Sequence, residues 1–256
     1  GEMKIRLYVE STATTGTLAY VGTGETSNRL IQLGGTTASA IIESSGSGPL
    51  ILSNVQNTGS AGARTLFLRG DLNAANEITS DLANNGGNLA ITKDDNGTWI
   101  LSGANTYSGA TTVSQGALGF RTDTVGGPGS VTSGPVGTGL LISSNGMFFA
   151  LDGDRVIDND FRLNGNATSN FIGINSMTFN GALTTTTAGN TTVTNSLPQG
   201  ALLTFNSPTF TGTETATART LVFNGSGDTV LNASVTDSTG GAVINLNYQG
   251  YGSLTL

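Results

Sequence analysis

The clearest indication of the fold lies in Ile91–Leu118, ITKDDNGTWILSGANTYSGATTVSQGAL. The apolar residues of this stretch come in short runs, such as Trp99–Leu101, and the runs end at Gly, Asn, Asp or Ser. Short apolar runs between turn-forming residues are typical of β-strands joined by tight turns. The Ala, Leu, Glu and Lys signature of helix-rich domains is absent from the chain as a whole. The sequence therefore predicts an all-β protein.

Outside this stretch the same pattern returns as an internal repeat. Residues 64–70 read RTLFLRG and residues 219–225 read RTLVFNG, 155 positions later. The segment 86–101 is echoed by 240–256 at nearly the same spacing, with one residue of slippage. Strands of the form Gly-x-Leu-x-Leu or close to it recur at 48–52, 97–101 and 252–256. Irregular but recurrent strands favour stacked coils over a closed barrel.

A β-solenoid accounts for the composition. Its coils stack at the strand spacing of about 4.8 Å, with apolar side chains inside and Gly, Asn or Asp at the corners, where turns often need a positive φ. At roughly 20 residues per coil, the chain would form about a dozen coils. We expect residues 1–256 to form a single continuous solenoid segment, with Gly126–Gly139 as its protruding loop or seam.

The composition also excludes several functions. The 256 residues contain no His, no Cys and only two Lys, so catalytic Ser-His-Asp and Cys-His sites cannot form and the usual zinc ligands are missing. The net charge is −7 and the Arg residues are scattered, which argues against nucleic acid as a partner. No apolar run approaches the roughly 18 residues of a membrane helix. The chain starts at Gly1 without a signal peptide, so we expect a processed or excised piece.

The stretch 91–118 resembles the autotransporter-associated β-strand repeat, also called the passenger-associated transport repeat. One position departs from the family pattern, Asp95, where the family usually has Gly. The matching positions are Lys93, Gly97, Leu101, Ser102, Gly103, Asn105, Thr106, Tyr107, Gly109, Thr111, Val113, Gly116 and Leu118.

That resemblance implies a right-handed parallel β-helix that is exported and displayed on the bacterial cell surface. In the family this repeat is associated with passenger transport or passenger stalks and contributes no active site. No cofactor is expected. Residues 64–118 form the best-matched repeat, and residues 219–256 are interpreted as a truncated second copy.

Two features of the sequence are candidates for a binding or catalytic site. Trp99 is the sole Trp, but the parallel segments have Leu50 and Leu254 at its position, which predicts a core residue rather than a sugar platform. An acidic cluster is interpreted as turn residues, and the alternatives are a Ca²⁺ site or an acid–base pair for cutting polysaccharide. The cluster comprises Asp152, Asp154, Asp158 and Asp160.

Both ends of the sequence alternate like strands and show no polar cap, and an exposed last coil is an unpaired sheet edge. We therefore expect both ends to continue, either into further coils or onto another copy of the chain in a head-to-tail filament. The candidate contact residues are Ile5, Leu7, Val9, Leu254 and Leu256.

The function predicted from these observations is non-catalytic: an extracellular stalk, fibre or adhesin segment. Its expected partners are further solenoid coils, surface glycans or the surface of a host or neighbouring cell. Two alternatives remain open. One is a carbohydrate-binding or polysaccharide-degrading β-helix that uses the acidic cluster. The other is a trimeric β-helix like a phage tailspike.

Overall fold

The computed structural model of the chain describes residues 15–34, 39–58, 61–186, 189–207, 209–212, 218–237 and 241–256. In these residues the backbone forms strands, turns and bends, without a helix. The chain divides into two compact units. The first comprises Gly1–Thr122 and Thr132–Gly139, and the second comprises Asp123–Val131 and Leu140–Leu256.

The first unit contains two five-stranded parallel sheets and a two-stranded one, formed by strands that return to the same side once per coil. The strands are β1 Gly16–Tyr20, β2 Thr23–Ser27, β3 Ile31–Gln32, β4 Ala40–Ser44, β5 Gly48–Leu52, β6 Val55–Gln56, β7 Gly62–Arg69, β8 Asn76–Ile78, β9 Gly86–Lys93, β10 Thr98–Leu101, β11 Thr111–Val113 and β12 Ala117–Phe120. Within the sheets they follow the orders β1-β4-β7-β9-β11, β2-β5-β8-β10-β12 and β3-β6.

The second unit contains three sheets of five strands, with one strand of each sheet per coil. The strands are β13 Leu141–Ser143, β14 Met147–Ala150, β15 Arg155–Ile157, β16 Phe161–Asn164, β17 Thr168–Phe171, β18 Met177–Phe179, β19 Leu183–Thr186, β20 Thr191–Asn195, β21 Leu202–Phe205, β22 Thr209–Gly212, β23 Arg219–Gly225, β24 Asp228–Leu231, β25 Ser234–Val235, β26 Ile244–Tyr248 and β27 Leu254–Thr255. Within the sheets they follow the orders β13-β16-β19-β22-β25, β14-β17-β20-β23-β26 and β15-β18-β21-β24-β27.

These sheets confirm the predicted all-β parallel solenoid, but the predicted number of coils was too high. The residues that the structure describes make about nine turns rather than a dozen. The register explains the difference, because the separation between partners one coil apart is not constant. Trp99 pairs with Leu118, whereas the partners Leu66 and Ile91 lie further apart in the sequence, and Thr191 and Leu221 further still. Loops of variable length between the strands make most coils longer than the sequence pattern suggested.

Side chains in register form the interior of each unit. In the first unit the first sheet contributes the inward column Ala40, Leu66, Ile91 and Thr111, all buried. In the second unit phenylalanines from all three sheets meet. The ring of Phe161 in β16 stacks on that of Phe179 in β18, with centroids 5.0 Å apart. Phe179 stacks in turn on Phe205 in β21, at 5.5 Å.

Two glycines 155 positions apart hold equivalent corners. Gly70 and Gly225 both have a φ of 104°, in the region that disfavours side chains. A Cβ on Gly70 would lie 2.0 Å from the carbonyl oxygen of Ser44, and one on Gly225 would lie 2.0 Å from that of Asn195. The backbone of the preceding coil therefore leaves room only for hydrogen at both corners.

Candidate functional site

The coil of residues 91–118 carries a lysine inside the solenoid. Lys93 occupies the inward column between Leu68 and Val113, and its side chain is fully buried. Its ammonium donates to three carbonyl oxygens, those of Asp94 at 2.5 Å, Asp95 at 2.7 Å and Gln115 at 3.1 Å. A buried ammonium is tolerated when its donors are satisfied. The three bonds tie the turn after β9 to the corresponding turn one coil later.

Burial lowers the pKa of Lys93 to about 8, although the nearby carboxylates of Asp95, Asp94 and Asp71 oppose that shift by favouring the charged form. Since Asp95 has a φ of 59°, this turn keeps the left-handed conformation at the position where the family usually has Gly. The substitution is therefore accommodated without loss of the turn.

The side chain of Asn105 bridges two further segments. Its Oδ1 accepts a hydrogen bond from the backbone N–H of Leu82 at 2.8 Å, and its Nδ2 donates to the carbonyl of Pro135 at 2.8 Å. The backbones of Asn105 and Gly134 exchange two more bonds. One amide, only 1% exposed, thus satisfies a donor on one side and an acceptor on the other.

Tyr107 extends this polar connection into the core. Its hydroxyl lies 2.6 Å from Thr111 Oγ1, which in turn donates to the carbonyl of Val136. Complete burial raises the pKa of the Tyr107 hydroxyl. Asn105, Tyr107 and Thr111 therefore hold residues 134–138 against the repeat coil. The hydrogen bonds of these three side chains therefore connect one backbone segment to another.

Trp99 is fully buried, as the sequence predicted, and its indole N–H donates to the carbonyl of Arg69 at 3.0 Å. In register it lies between Asn76 and Leu118. Asn76 is also buried, and its amide connects the N–H of Leu50 to the carbonyl of Thr98. This inward amide was not anticipated from the sequence.

The acidic cluster lies at turns, and its side chains bond to the next coil. Asp154 Oδ1 accepts from the N–H of Ser176, Asp158 Oδ1 from Asn180 Nδ2, and Asp160 Oδ1 from the N–H of Ala182. Each of the three bonds joins one coil of the second unit to the coil that follows. The fourth residue, Asp152, has a φ of 56°.

Throughout the part of the chain that the structure describes, no three His, Cys, Asp or Glu side chains are grouped to hold a metal ion. Ca²⁺ binding by the cluster stays a prediction.

The outer face of the third sheet in the second unit presents regular columns of short side chains. Its central column is Val156, Thr178, Thr204, Val230 and Thr255. An amide ladder flanks it, in which Asn232 Nδ2 donates to Asn206 Oδ1, Asn206 to Asn180, and Asn180 to Asp158.

On the other side of the central column stand residues that cap the backbone of the following coil. Ser176 Oγ accepts from the N–H of Leu202, and Asp228 Oδ1 accepts from both the N–H and the hydroxyl of Ser253. These bonds from Ser253 lower the pKa of the Asp228 carboxyl. The result is an uncharged central column of Thr and Val side chains, flanked by amide, hydroxyl and carboxylate groups.

Of the predicted contact residues at the two ends, the structure describes those at the C-terminal end. Leu254 is half-buried in β27, Leu256 is 73% exposed and Tyr251 is 95% exposed. Ile5, Leu7 and Val9 lie outside the described residues. Among the residues described, none belongs to a helix long and apolar enough to span a membrane.

Known proteins resemble the chain in two respects. The family model of the passenger-associated transport repeat matches residues 91–119. Over 137 residues, or 52% of the chain, the sequence is 33% identical to the adhesin BmaC autotransporter of Brucella suis biovar 1 (strain 1330). The chain covers 4% of that protein's length. No solved structure matches. The resemblance to passenger repeats and to autotransporter adhesins, predicted from residues 91–118, is thereby confirmed.

Proposed function

We propose that the chain is a non-catalytic segment of an adhesive passenger, displayed outside the bacterial cell and built to present the outer faces of its coils. The observation that carries the proposal is the coil 91–118, a passenger-type repeat whose buried polar residues bond successive coils together. The 33% identity to part of an autotransporter adhesin supports the same conclusion.

The use of polar side chains supports a mechanical role. The carboxylates of Asp154, Asp158 and Asp160 accept hydrogen bonds from the coil that follows. Lys93 is buried among backbone carbonyls, so it is withdrawn from solvent. An acid–base pair needs two carboxyl groups facing one scissile bond, whereas these groups are occupied in turns.

For attachment we propose the outer face of the third sheet in the second unit. Its central column from Val156 to Thr255 carries no charge, and the flanking Asn206 and Asn232 side chains are exposed. Hydroxyl and amide groups donate and accept hydrogen bonds, as the hydroxyl groups of a surface glycan do. We therefore propose a glycan of a host or neighbouring cell as the partner of this face.

We also propose that coils continue beyond β27 by parallel strand pairing, with a further coil or another copy of the chain stacked on Leu254 and Leu256. The backbone hydrogen bonds between parallel strands do not depend on side-chain identity, which suits stacking of unlike coils. Electron microscopy of the purified chain tests the second option. Filaments are expected if copies stack, and a concentration-independent monomer contradicts stacking between copies.

The adhesive function is tested by competition. The purified chain, added in solution, is expected to reduce attachment of the bacteria that make it to a glycan-coated surface, and antibody against it is expected to label intact cells. Thr204→Lys places a charge in the proposed face and should weaken the competition at least fivefold. Asn247→Lys, at an exposed site on the second sheet, serves as the matched control. An absence of labelling on intact cells overturns the proposal.

A further inference from the structure

The 155-residue repeat extends to the pairing of strands inside each unit. In the first unit β9 pairs with β7 so that Leu89 lies opposite Arg64, and in the second β26 pairs with β23 so that Ile244 lies opposite Arg219. Each of the five pairs between β23 and β26 matches a pair between β7 and β9 at the same shift in sequence. β26 is therefore the counterpart of β9.

The turns that follow these two strands also correspond. The N–H of Gly97 donates to the carbonyl of Gly70 at 2.8 Å, and the N–H of Gly252 donates to the carbonyl of Gly225 at 3.4 Å. The hydroxyl of Tyr248 donates to the carbonyl of Gly252 in its own turn. In the first unit the buried lysine bonds carbonyls of its own turn from the corresponding position. The local structure after β26 thus repeats the structure after β9.

The first unit shows what covers such a pair of strands. β11 lies on β9 with Thr111 opposite Ile91, and β12 lies on β10 with Leu118 opposite Trp99. Ile91 and Trp99 are fully buried. The N–H of Ile91 also donates to the carbonyl of Ala110 in the covering coil. The covering coil therefore buries apolar side chains and satisfies a backbone donor at once.

In the second unit the corresponding strands are open on that side. Among the described residues, no strand pairs with β26 besides β23, and none pairs with β27 besides β24. Leu254 of β27 corresponds in sequence to the buried Trp99 of β10. The inward side chains of this last coil remain accessible: Leu246 and Leu254 are half-buried, Tyr248 is 40% exposed and Leu256 is 73% exposed.

The charges on the two sides also match. Residues 242–256, which form the open surface, contain no Asp, Glu, Lys or Arg, and neither do residues 102–120, which cover the first unit's counterpart of that surface. Burying an unpaired charge between two such surfaces would be costly. The open surface therefore favours an uncharged segment.

We propose that the surface formed by β26 and β27 binds one further coil with the residue pattern of 102–120. In this arrangement the equivalent of Thr111 lies on Leu246, that of Val113 on Tyr248, and that of Leu118 on Leu254. The inference rests on the proposed continuation of coils beyond β27, and it specifies the chemistry of the coil that docks there. A coil with charged side chains at these inward positions is excluded.

A variant chain that carries a copy of residues 102–120 directly after Leu256 tests the inference. The N–H of Leu246 is expected to donate to the added coil, as the N–H of Ile91 does in the first unit. Amide exchange at Leu246 should therefore slow at least tenfold relative to the unextended chain. The matched control carries Val113→Asp and Leu118→Asp in the copied segment only, and its exchange at Leu246 should stay within twofold of the unextended chain. Equal protection from both extensions, or from neither, overturns the proposal.

Disulfide cross-linking tests the register independently, and the chain contributes no cysteine of its own. Asn247 corresponds to Thr92, which pairs with Thr112 in the first unit. Neighbours in register on adjacent strands are about 5 Å apart, close to the separation that a disulfide spans. In the extended chain, Asn247→Cys should form a disulfide with Thr112→Cys of the copied segment at least fivefold faster than with Ser114→Cys.

Equal rates of disulfide formation overturn the proposed register, and so do disulfides that form only between molecules. The result is distinguishable from a failure of the adhesive function, because competition for attachment is measured on the unextended chain. A chain that still competes for attachment but gains no protection from the added coil refutes the docking inference alone.

Discussion

The two units build the same kind of coil around different interiors. In the first unit, polar side chains enter the core and bond one coil to another, as Lys93, Asn76 and Asn105 do. In the second, buried polar side chains such as Asn195 also join coils, but phenylalanine rings from three sheets pack together as well, and Phe161 contacts four other rings. Hydrogen bonds are directional, so they specify which segments of neighbouring coils lie together. Ring packing stabilises the interior through burial of apolar surface and specifies the contacting segments less strictly. A parallel solenoid tolerates both because backbone pairing between coils is common to them.

The largest expected effect concerns the rings. Phe161→Ala should lower the free energy of unfolding of the second unit by about 3–5 kcal/mol, because it removes a fully buried ring and leaves a cavity. Chemical denaturation measures the loss of stability. In a separate hydrogen-exchange experiment, faster amide exchange is expected in the coils on either side of β16. Phe149→Ala, a half-buried outward ring next to a buried one, is the control. Equal losses of stability from both variants would contradict a special role of the inward rings in the second unit.

The second effect is pH dependence in the first unit. Burial lowers the pKa of Lys93 to about 8 from 10.5, so between these values the unfolded chain holds a proton that the folded chain has released. Stability should therefore rise with pH from about 8, by at most about 1.4 kcal/mol per pH unit. Above about pH 10, the raised pKa of Tyr107 should begin to reverse the gain, since only the unfolded tyrosine ionises.

Thermal melts at a series of pH values check this behaviour. Lys93→Met keeps the length of the side chain but cannot titrate, so its melts should lack the rise above pH 8. A wild-type profile that falls steadily from pH 8 to pH 10 contradicts the assignment of the buried lysine.

The third effect tests the polar bridge. Asn105→Ala leaves the N–H of Leu82 and the carbonyl of Pro135 without their side-chain partner, at a cost of about 2–3 kcal/mol. Residues 134–138 should lose protection from hydrogen exchange, while the second unit keeps its own. Asn247→Ala, an exposed asparagine, should change the denaturation midpoint very little. Were the two variants alike, the bridge would not distinguish the first unit.

The smallest effect is expected on the outer face. Asn206→Ala interrupts the amide ladder between Asn180 and Asn232, but its side chain is exposed, so water replaces the lost bonds. The loss should stay below about 1 kcal/mol. Denaturation curves for this variant and for Phe161→Ala, recorded side by side, compare surface and interior within one unit. A loss similar to that of the ring would make the ladder a structural support of the second unit.

Several features could be read from residues alone. The short apolar runs and their turn residues predict the strands, and the exchange of Trp99 for Leu at the parallel positions predicts its burial. The amide ladder is also visible in the sequence, since Thr-Phe-Asn occurs at 178–180 and again at 204–206, one coil later. Recurrence of a polar residue directly after an inward aromatic indicates a column on the outer face.

Other features depend on how the coils stack. Lysine is usually exposed, and only the register that places Lys93 between Leu68 and Val113, with three carbonyls within reach, puts it inside. The number of coils followed from loop lengths that composition does not reveal.

The all-β class, the parallel coils and the family resemblance follow from the residues alone, because turn chemistry and strand alternation are local properties. Which backbone groups the buried amides and the ammonium satisfy was settled by the tertiary structure, because those partners lie a coil apart in the chain and meet only after the coils have stacked.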